Sequence, residues 1–326
     1  MSRRTRSAVI SIASLALAFG ATACGSSSSG GDQSVKAGNG PSLCGGQTGS
    51  GKVVVGAAGF SENETLAAIY AAALKECGYD TSTKTFDSRE VYYPALKKGT
   101  IGVVPEYAAT LTDFINGQVN GANAPSKASG QIDQTMTALK GELPSSLAAL
   151  DAADATDKNA FAIPTQLASD NNITTMSELA TYTQGHPLTL AGPPECPTRP
   201  FCEPGLKKTY NMKIAGFKQT DAGGPLTIKA LKQGTAQIGL VFTSDPTISA
   251  KGFTVLDDDK NLQASDNIVP IVSSSLANGA AASALNAISA KLDEQTLLDL
   301  NKAVIVDHGQ PAEVAAQFLQ QAGLTS

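Results

Sequence analysis

From Lys52 onward, short apolar runs alternate with stretches whose apolar residues recur every three or four positions. Val53-Val54-Val55 reads as a short buried strand. Behind it, Leu66, Ile69, Tyr70, Ala73 and Leu74 share one helical face, and Ser61 with Glu64 has the S-x-x-E spacing of a capping box at that helix's start. Gly78 ends the helix. The pattern then predicts a helix over 90–98 that stops at Gly99, a strand over 101–104, helices over 107–115 and 131–140, and strands over 147–150 and 160–163.

The middle of the chain has the same rhythm. Strands are predicted at 188–190, 238–242 and 253–256, with helices at 204–210 and at 226–232 before Gly234. Residues 267–272 begin a return, and the last fifty residues are helical, with Leu285, Ile288, Leu292, Leu297 and Leu298 at helical spacing. Strands separated by helices indicate an α/β fold with mostly parallel sheets. No repeat of 20–50 residues is visible. At about 100–200 residues per domain, a chain of 326 residues holds two domains or one large one.

The N-terminus has a different pattern. Arg3, Arg4 and Arg6 form a basic region, Ala8 to Ala21 an apolar one, and Ala21-Thr22-Ala23 lead into Cys24. This apolar run is too short to span a bilayer comfortably, so 1–23 reads as a secretory signal. Cleavage before Cys24, with lipid on that cysteine, resembles the lipobox of bacterial lipoproteins, although Ala21 stands where Leu is commoner; an ordinary cleavage site is the alternative. Residues 25–51 contain 9 Gly and 7 Ser, a composition that cannot bury enough surface to fold. Segment 24–51 is therefore expected to be a lipidated cysteine and a flexible tether, holding a protein against the outer face of the cell membrane.

Export places Cys44, Cys77, Cys196 and Cys202 in an oxidising compartment, where four cysteines allow three pairings. Cys196 and Cys202 enclose a short Pro-rich loop, which leaves Cys44 for Cys77; four buried thiols are the alternative.

Charge and composition narrow the function. The formal net charge is −5, and a leader with three arginines and no acid makes the mature balance more negative still. That sign argues against nucleic acid as a partner. Two histidines, His186 and His308, do not make a multi-histidine metal site. Gly46 to Lys52 nearly spells a P-loop, but Val53 replaces the Ser or Thr that holds magnesium, and the motif precedes a strand rather than following one. No G-x-S-x-G elbow, dinucleotide fingerprint or calcium loop is present. No cofactor is implied, and a secreted enzyme using Arg199 and a carboxylate is a remote reading.

Other segments suit a ligand cleft. Residues 56–62, with Phe60 and Ser61, leave a strand and enter a helix N-terminus whose free amides can receive a polar group. Residues 105–110, with Tyr107 and Thr110, repeat the arrangement, and Arg199 sits in the turn between Cys196 and Cys202.

In these segments the sequence resembles the glycine betaine, choline and carnitine binding proteins of osmoprotectant ABC importers. The similar motifs are G-A-A-G-F-S-E-N-E at 56–64, A-L-K-K-G-T-I at 95–101, P-E-Y-A-A-T at 105–110, T-R-P-F-C-E-P-G-L at 198–206, V-F-T-S-D at 241–245, and L-D-D-D-K at 256–260 followed by N-I-V-P at 267–270. The resemblance spans essentially all of 52–326. It implies the type II periplasmic-binding fold, with two α/β lobes and a two-segment hinge. It also implies a monomer that performs no chemistry and delivers its solute to a permease and its ATPase. The lobes would be 52–155 plus 265–326, and 156–264.

The family cages a quaternary ammonium with aromatic rings and pairs the ligand carboxylate with basic groups. Carried over by position, Tyr107, Thr110 and Arg199 keep the family's groups, while Phe161 and Phe242 keep a ring without its hydroxyl; core packing is the plain alternative for both. Ala58 stands where members often have Lys, and Asn267 where a further Tyr is common. These departures also admit a scaffold retuned for another compact solute, such as an aromatic or polyphenol-like compound.

Overall fold

The computed structural model describes residues 43–121 and 124–325; the expected signal, Cys24 and most of the tether lie outside the described residues. The described chain forms ten strands: β1 (Lys52–Ala58), β2 (Asp80–Phe86), β3 (Val103–Tyr107), β4 (Leu147–Ala149), β5 (Asn159–Pro164), β6 (Leu188–Gly192), β7 (Ile214–Gln219), β8 (Ile238–Phe242), β9 (Phe253–Val255) and β10 (Ile268–Ser273). They make two five-stranded sheets, ordered β2-β1-β3-β10-β4 and β7-β6-β8-β5-β9. In each sheet four strands run one way, and the strand that follows a crossing between the sheets, β10 in the first and β5 in the second, runs against them. This is the type II periplasmic-binding fold, with one α/β lobe built on each sheet.

Both faces of the first sheet are covered. Helix α1 (Ser61–Glu76) and the C-terminal helices bury Leu66, Ile69, Leu74, Leu285, Ile288 and Phe318 on one side. Helices α2 (Arg89–Lys97) and α3 (Ala108–Asn120) cover the other with Tyr93, Leu96, Leu111 and Ile115. The second sheet packs Leu179, Leu190, Leu206 and Leu240 on one face and Ile228, Leu231 and Phe253 on the other.

The chain passes between the lobes twice, and the two passages pair. Thr156 and Asn267 form an isolated antiparallel bridge, with Asp157 N donating to Asp266 O at 3.1 Å and Ile268 N to Ala155 O at 3.1 Å. A joint of two short extended segments lets the lobes rotate without disturbing either sheet.

Each lobe carries one disulfide, Cys44–Cys77 in the first and Cys196–Cys202 in the second. The former brings the end of the Gly/Ser segment onto α1, where Gly49 N donates to Cys77 O at 2.7 Å and Leu43 packs on the core. Residues 43–51 are thus part of the first lobe rather than free spacer.

Local expectations differ from the structure in a few places. Ser61 is the first residue of α1 and its side chain caps nothing; Phe60 holds the cap position. Among the described residues a capping box does form at Thr175 with Glu178, at the start of helix Met176–Thr183. Strands β2 and β7 and helices Thr165–Asn171 and Met176–Thr183 were not expected from the apolar pattern.

Candidate functional site

Ligands of parallel α/β sheets lodge at the carboxyl ends of the strands, where the chain turns toward the next helix and backbone groups are free. In both lobes those ends face each other. β1 delivers Ala58 and Phe60, β2 delivers Asp87, Ser88 and Arg89, and β3 delivers Tyr107 and Thr110; from the other side come Glu195 and Arg199 after β6, and Phe242 at the end of β8. Between them lies a cavity of about 120 Å³. A larger space of about 840 Å³ adjoins it, and Phe60, Asp157 and Phe242 border both.

Rings form much of the cavity wall. Phe60 stacks on Tyr107 with centroids 6.1 Å apart, and on Phe242 of the other lobe at 5.4 Å. Phe114 adds a further ring, with the Arg199 guanidinium 5.3 Å and that of Arg89 5.8 Å from its centroid. The Tyr107 hydroxyl is committed to the protein, donating to Glu62 Oε1 at 2.7 Å.

Both arginines have carboxylate partners. Fully buried Glu106 receives Arg89 through Nε at 2.9 Å and Nη2 at 2.7 Å, and the Tyr92 hydroxyl at 2.6 Å. Arg89 Nη2 also donates to Thr110 Oγ1 at 2.9 Å, which fixes that hydroxyl at the cavity edge. Arg199 reaches across the cleft to Glu90 Oε1, with Nε at 3.0 Å and Nη2 at 2.9 Å. Burial and the neighbouring Arg89 press the Arg199 guanidinium below its usual value, against the pull of Glu90. Burial would raise Glu90, but Arg199 and hydrogen bonds at the start of α2 hold its carboxyl below the usual carboxylate range.

Besides Asp87 and Glu195, three buried carboxylates line the cavity: Asp113, Asp157 and Asp266. Asp266 Oδ1 accepts from the amides of Ala109 and Thr110 at 2.9 and 3.0 Å, capping α3 from the hinge. Burial pushes its pKa up to about 7, against those amides and Arg89. Asp157 is raised well above the ordinary value by burial and then by Glu62, while Ser244 Oγ donates to it at 2.8 Å. Glu62 is raised by burial too; Asn301 Nδ2 bridges its Oε2 at 2.6 Å and Ser244 O at 3.0 Å, tying the lobes together behind Phe60.

Of the residues expected from the sequence, Phe60, Tyr107, Thr110, Arg199 and Phe242 meet at this cavity. Ser61 faces the larger adjoining space. Phe161 does not reach the cleft; it points into the second lobe's core beside Leu240 and Leu256, and Asn159, at the start of the same strand, lines the cavity instead. Asn267 also turns away. Its Nδ2 donates to Ala153 O at 2.9 Å, locking the hinge, and the cavity side falls to Asp266. Arg89, Glu90, Asp113, Phe114 and Asp266 were missed. The signal for the first two was D-S-R-E at 87–90, legible only once β2 is known to end at Phe86.

A profile of the substrate-binding domain of ABC-type glycine betaine transport systems, the OpuAC family, matches residues 51–321. The chain belongs to that family. It is 27% identical over 282 residues to the glycine betaine-binding protein YehZ of Escherichia coli, covering 84% of this chain and 91% of YehZ. A glycine-betaine-binding protein of Pseudomonas aeruginosa is 26% identical over 281 residues, covering 82% and 86%. The solved structure of apo YehZ superposes with a TM-score of 0.57 at 26% identity, over 84% of this chain and 99% of that one. Members of the family are substrate-binding components of transporters, working outside the cytoplasm. Among the described residues no helix is long and apolar enough to cross a membrane.

Proposed function

We propose that this protein captures a small quaternary ammonium solute, of the glycine betaine and choline class, between its lobes and hands it to an ABC permease. The observation that carries the reading is the cavity itself, with Phe60, Tyr107, Phe242 and Phe114 as walls and the carboxylates of Asp157 and Asp266 among them. Ring faces attract a desolvated cation with about 0.5–2 kcal/mol each, and carboxylates add the countercharge that a trimethylammonium group needs away from water. The naming of both curated relatives as glycine betaine-binding proteins supports the same class. Binding requires no bond to be made or broken. Closure brings Phe242 and Arg199 of the second lobe against a first lobe that already holds Phe60, Tyr107 and Phe114.

The anchoring belongs to the same proposal. Residues 1–23 are removed on export, Cys24 carries lipid, and the segment after it keeps a monomeric receptor near its permease. Cys24→Ala should move the protein from the membrane fraction to the medium.

The binding test is calorimetry and thermal shift on the mature chain with glycine betaine and choline. Ligand at a hundred times its dissociation constant adds about 2.7 kcal/mol, which raises the melting temperature by roughly 5–10 °C for a chain of this size. No shift with either compound at millimolar concentration would end this reading.

A further inference from the structure

Two features of the cavity's polar end go beyond the family's general ligand class. Arg199, the guanidinium expected to read a ligand carboxylate, is already answered by a carboxylate of the protein. Nε and Nη2 both point at Glu90 Oε1, at 3.0 and 2.9 Å. Arg89, the other cation at this end, is held by Glu106 through two hydrogen bonds and by Thr110. A carboxylate entering here finds no cation without a resident partner.

Beside them stands the opposite situation, an acceptor with nothing donated to it. Asp113 is buried at 3% exposure and lines the cavity next to Phe114. Its Oδ1 accepts the amides of Lys127 and Ala128 at 2.8 and 3.2 Å, while Oδ2 is buried and has no hydrogen-bond partner. A buried carboxylate oxygen without a donor is costly, and a ligand hydroxyl would relieve that cost, whereas a ligand carboxylate would add repulsion to it.

We propose that Glu90 and Asp113 select the polar end of the ligand, Glu90 by occupying Arg199 and Asp113 by offering an open acceptor. Together they favour a quaternary ammonium that ends in a hydroxyl over one that ends in a carboxylate. The inference rests on the quaternary ammonium reading above and names which member of that class the site prefers.

The test is titration calorimetry of choline and glycine betaine against the unaltered mature chain, Glu90→Gln and Asp113→Asn. Glu90 is a surface-facing side chain, 42% exposed, so its amide form should fold. The unaltered chain should bind choline more tightly than betaine. Glu90→Gln frees Arg199 and should strengthen betaine about tenfold while choline changes less than about twofold. Asp113→Asn converts the open acceptor to a donor and should weaken choline about tenfold, moving the choline-to-betaine ratio the same way as Glu90→Gln. If Glu90→Gln shifts both ligands by one factor, Glu90 only fastens the lobes together and the proposal falls. If Asp113→Asn leaves the ratio unchanged, Asp113 does not read the ligand and the proposal falls likewise. If neither compound binds the unaltered chain, the quaternary ammonium reading itself is wrong, an outcome separate from the other two because no ratio exists to compare.

Discussion

The two walls of the cleft are built differently. On the first lobe's side, Arg89, Tyr92, Glu106, Thr110 and Asp266 form a connected, largely buried network that rests on two strand ends and two helices. On the second lobe's side the wall comes from separate loops and strand ends: Phe242 at the end of β8, Asn159 at the start of β5, Glu195, and the turn that carries Arg199 and Phe201, pinned by Cys196–Cys202. A wall whose polar groups already satisfy one another costs little to hold in shape, so the first lobe is organised before a ligand arrives. The second wall contributes rings and a cation on separate loops, and it meets the first through Arg199 on Glu90 and Phe242 on Phe60. On the proposed reading, the first lobe reads the solute and the second covers it.

Breaking the network should therefore show up as lost stability of the first lobe. Removing one partner of a buried ion pair leaves an uncompensated charge and costs about 3–5 kcal/mol. Glu106→Ala strands Arg89 and the Tyr92 hydroxyl together, so chemical denaturation should show a loss near that size. A loss under 1 kcal/mol would mean the first wall is no better organised than the second.

The second wall should respond less. Opening Cys196–Cys202, with its sequence separation of 6, releases a short loop, and chain-entropy reasoning gives about 2 kcal/mol. Cys196→Ser with Cys202→Ser should lower stability by that amount and leave the first lobe's hydrogen-exchange protection unchanged. Protection lost in α2 and α3 would contradict the separation of the two walls.

What could be read from the sequence follows the same division. The longer helices were legible from their apolar periodicity and the central strands because burial on both faces demands apolar runs, as in Val53-Val54-Val55 or 238–242, whereas the short helices Thr165–Asn171 and Met176–Thr183 were not. The missed strands β2 and β7 are edge strands, and Asp80–Phe86 is almost entirely polar, with no apolar alternation to betray it. That one omission concealed Arg89 and Glu90, since a residue is known to stand at a strand's carboxyl end only if the strand is seen. Phe161 and Phe242 looked equivalent in sequence. They differ because Phe161 lies within β5, facing the core, whereas Phe242 is the last residue of β8 and turns into the cleft. Asp113 and Asp266 carry no motif; contacts with distant or looping segments put them where they are.

A ring substitution tests the covering role directly. Phe242→Ala removes the ring that the second lobe stacks on Phe60 while leaving every polar group in place. Choline and glycine betaine present the same trimethylammonium, so both should weaken by about tenfold, within the 0.5–2 kcal/mol expected of a desolvated cation on a ring. Unequal losses would place the cation elsewhere and assign Phe242 to the polar end.

The smallest expected effect is that of pH, and it returns to the first wall. Asp266 has a pKa near 7 because burial outweighs the amides of Thr110 and Ala109 and the field of Arg89; Glu106 pushes in the same direction as burial. A carboxyl raised in the folded state makes its contribution to stability at low pH and loses it as pH rises from about 4 toward about 7. A bound cation reverses the preference, since it favours the ionised carboxylate. Binding of choline should then release a proton below pH 7, and affinity should climb severalfold between pH 5.5 and 7.5, always less than tenfold per unit. Glu62 and Asp157 are raised as well and carry the same sign, so the shape of the curve alone does not assign it. Asp266→Asn keeps an oxygen for the two α3 amides and removes the titration. Calorimetry in buffers of different ionisation enthalpy counts the released protons. In that variant the count should drop and the step near pH 7 should vanish. An unchanged step would move the titration to the Glu62–Asp157 pair, the polar link between the lobes, and would make the closure of the cleft, rather than its first wall, the pH-sensitive part.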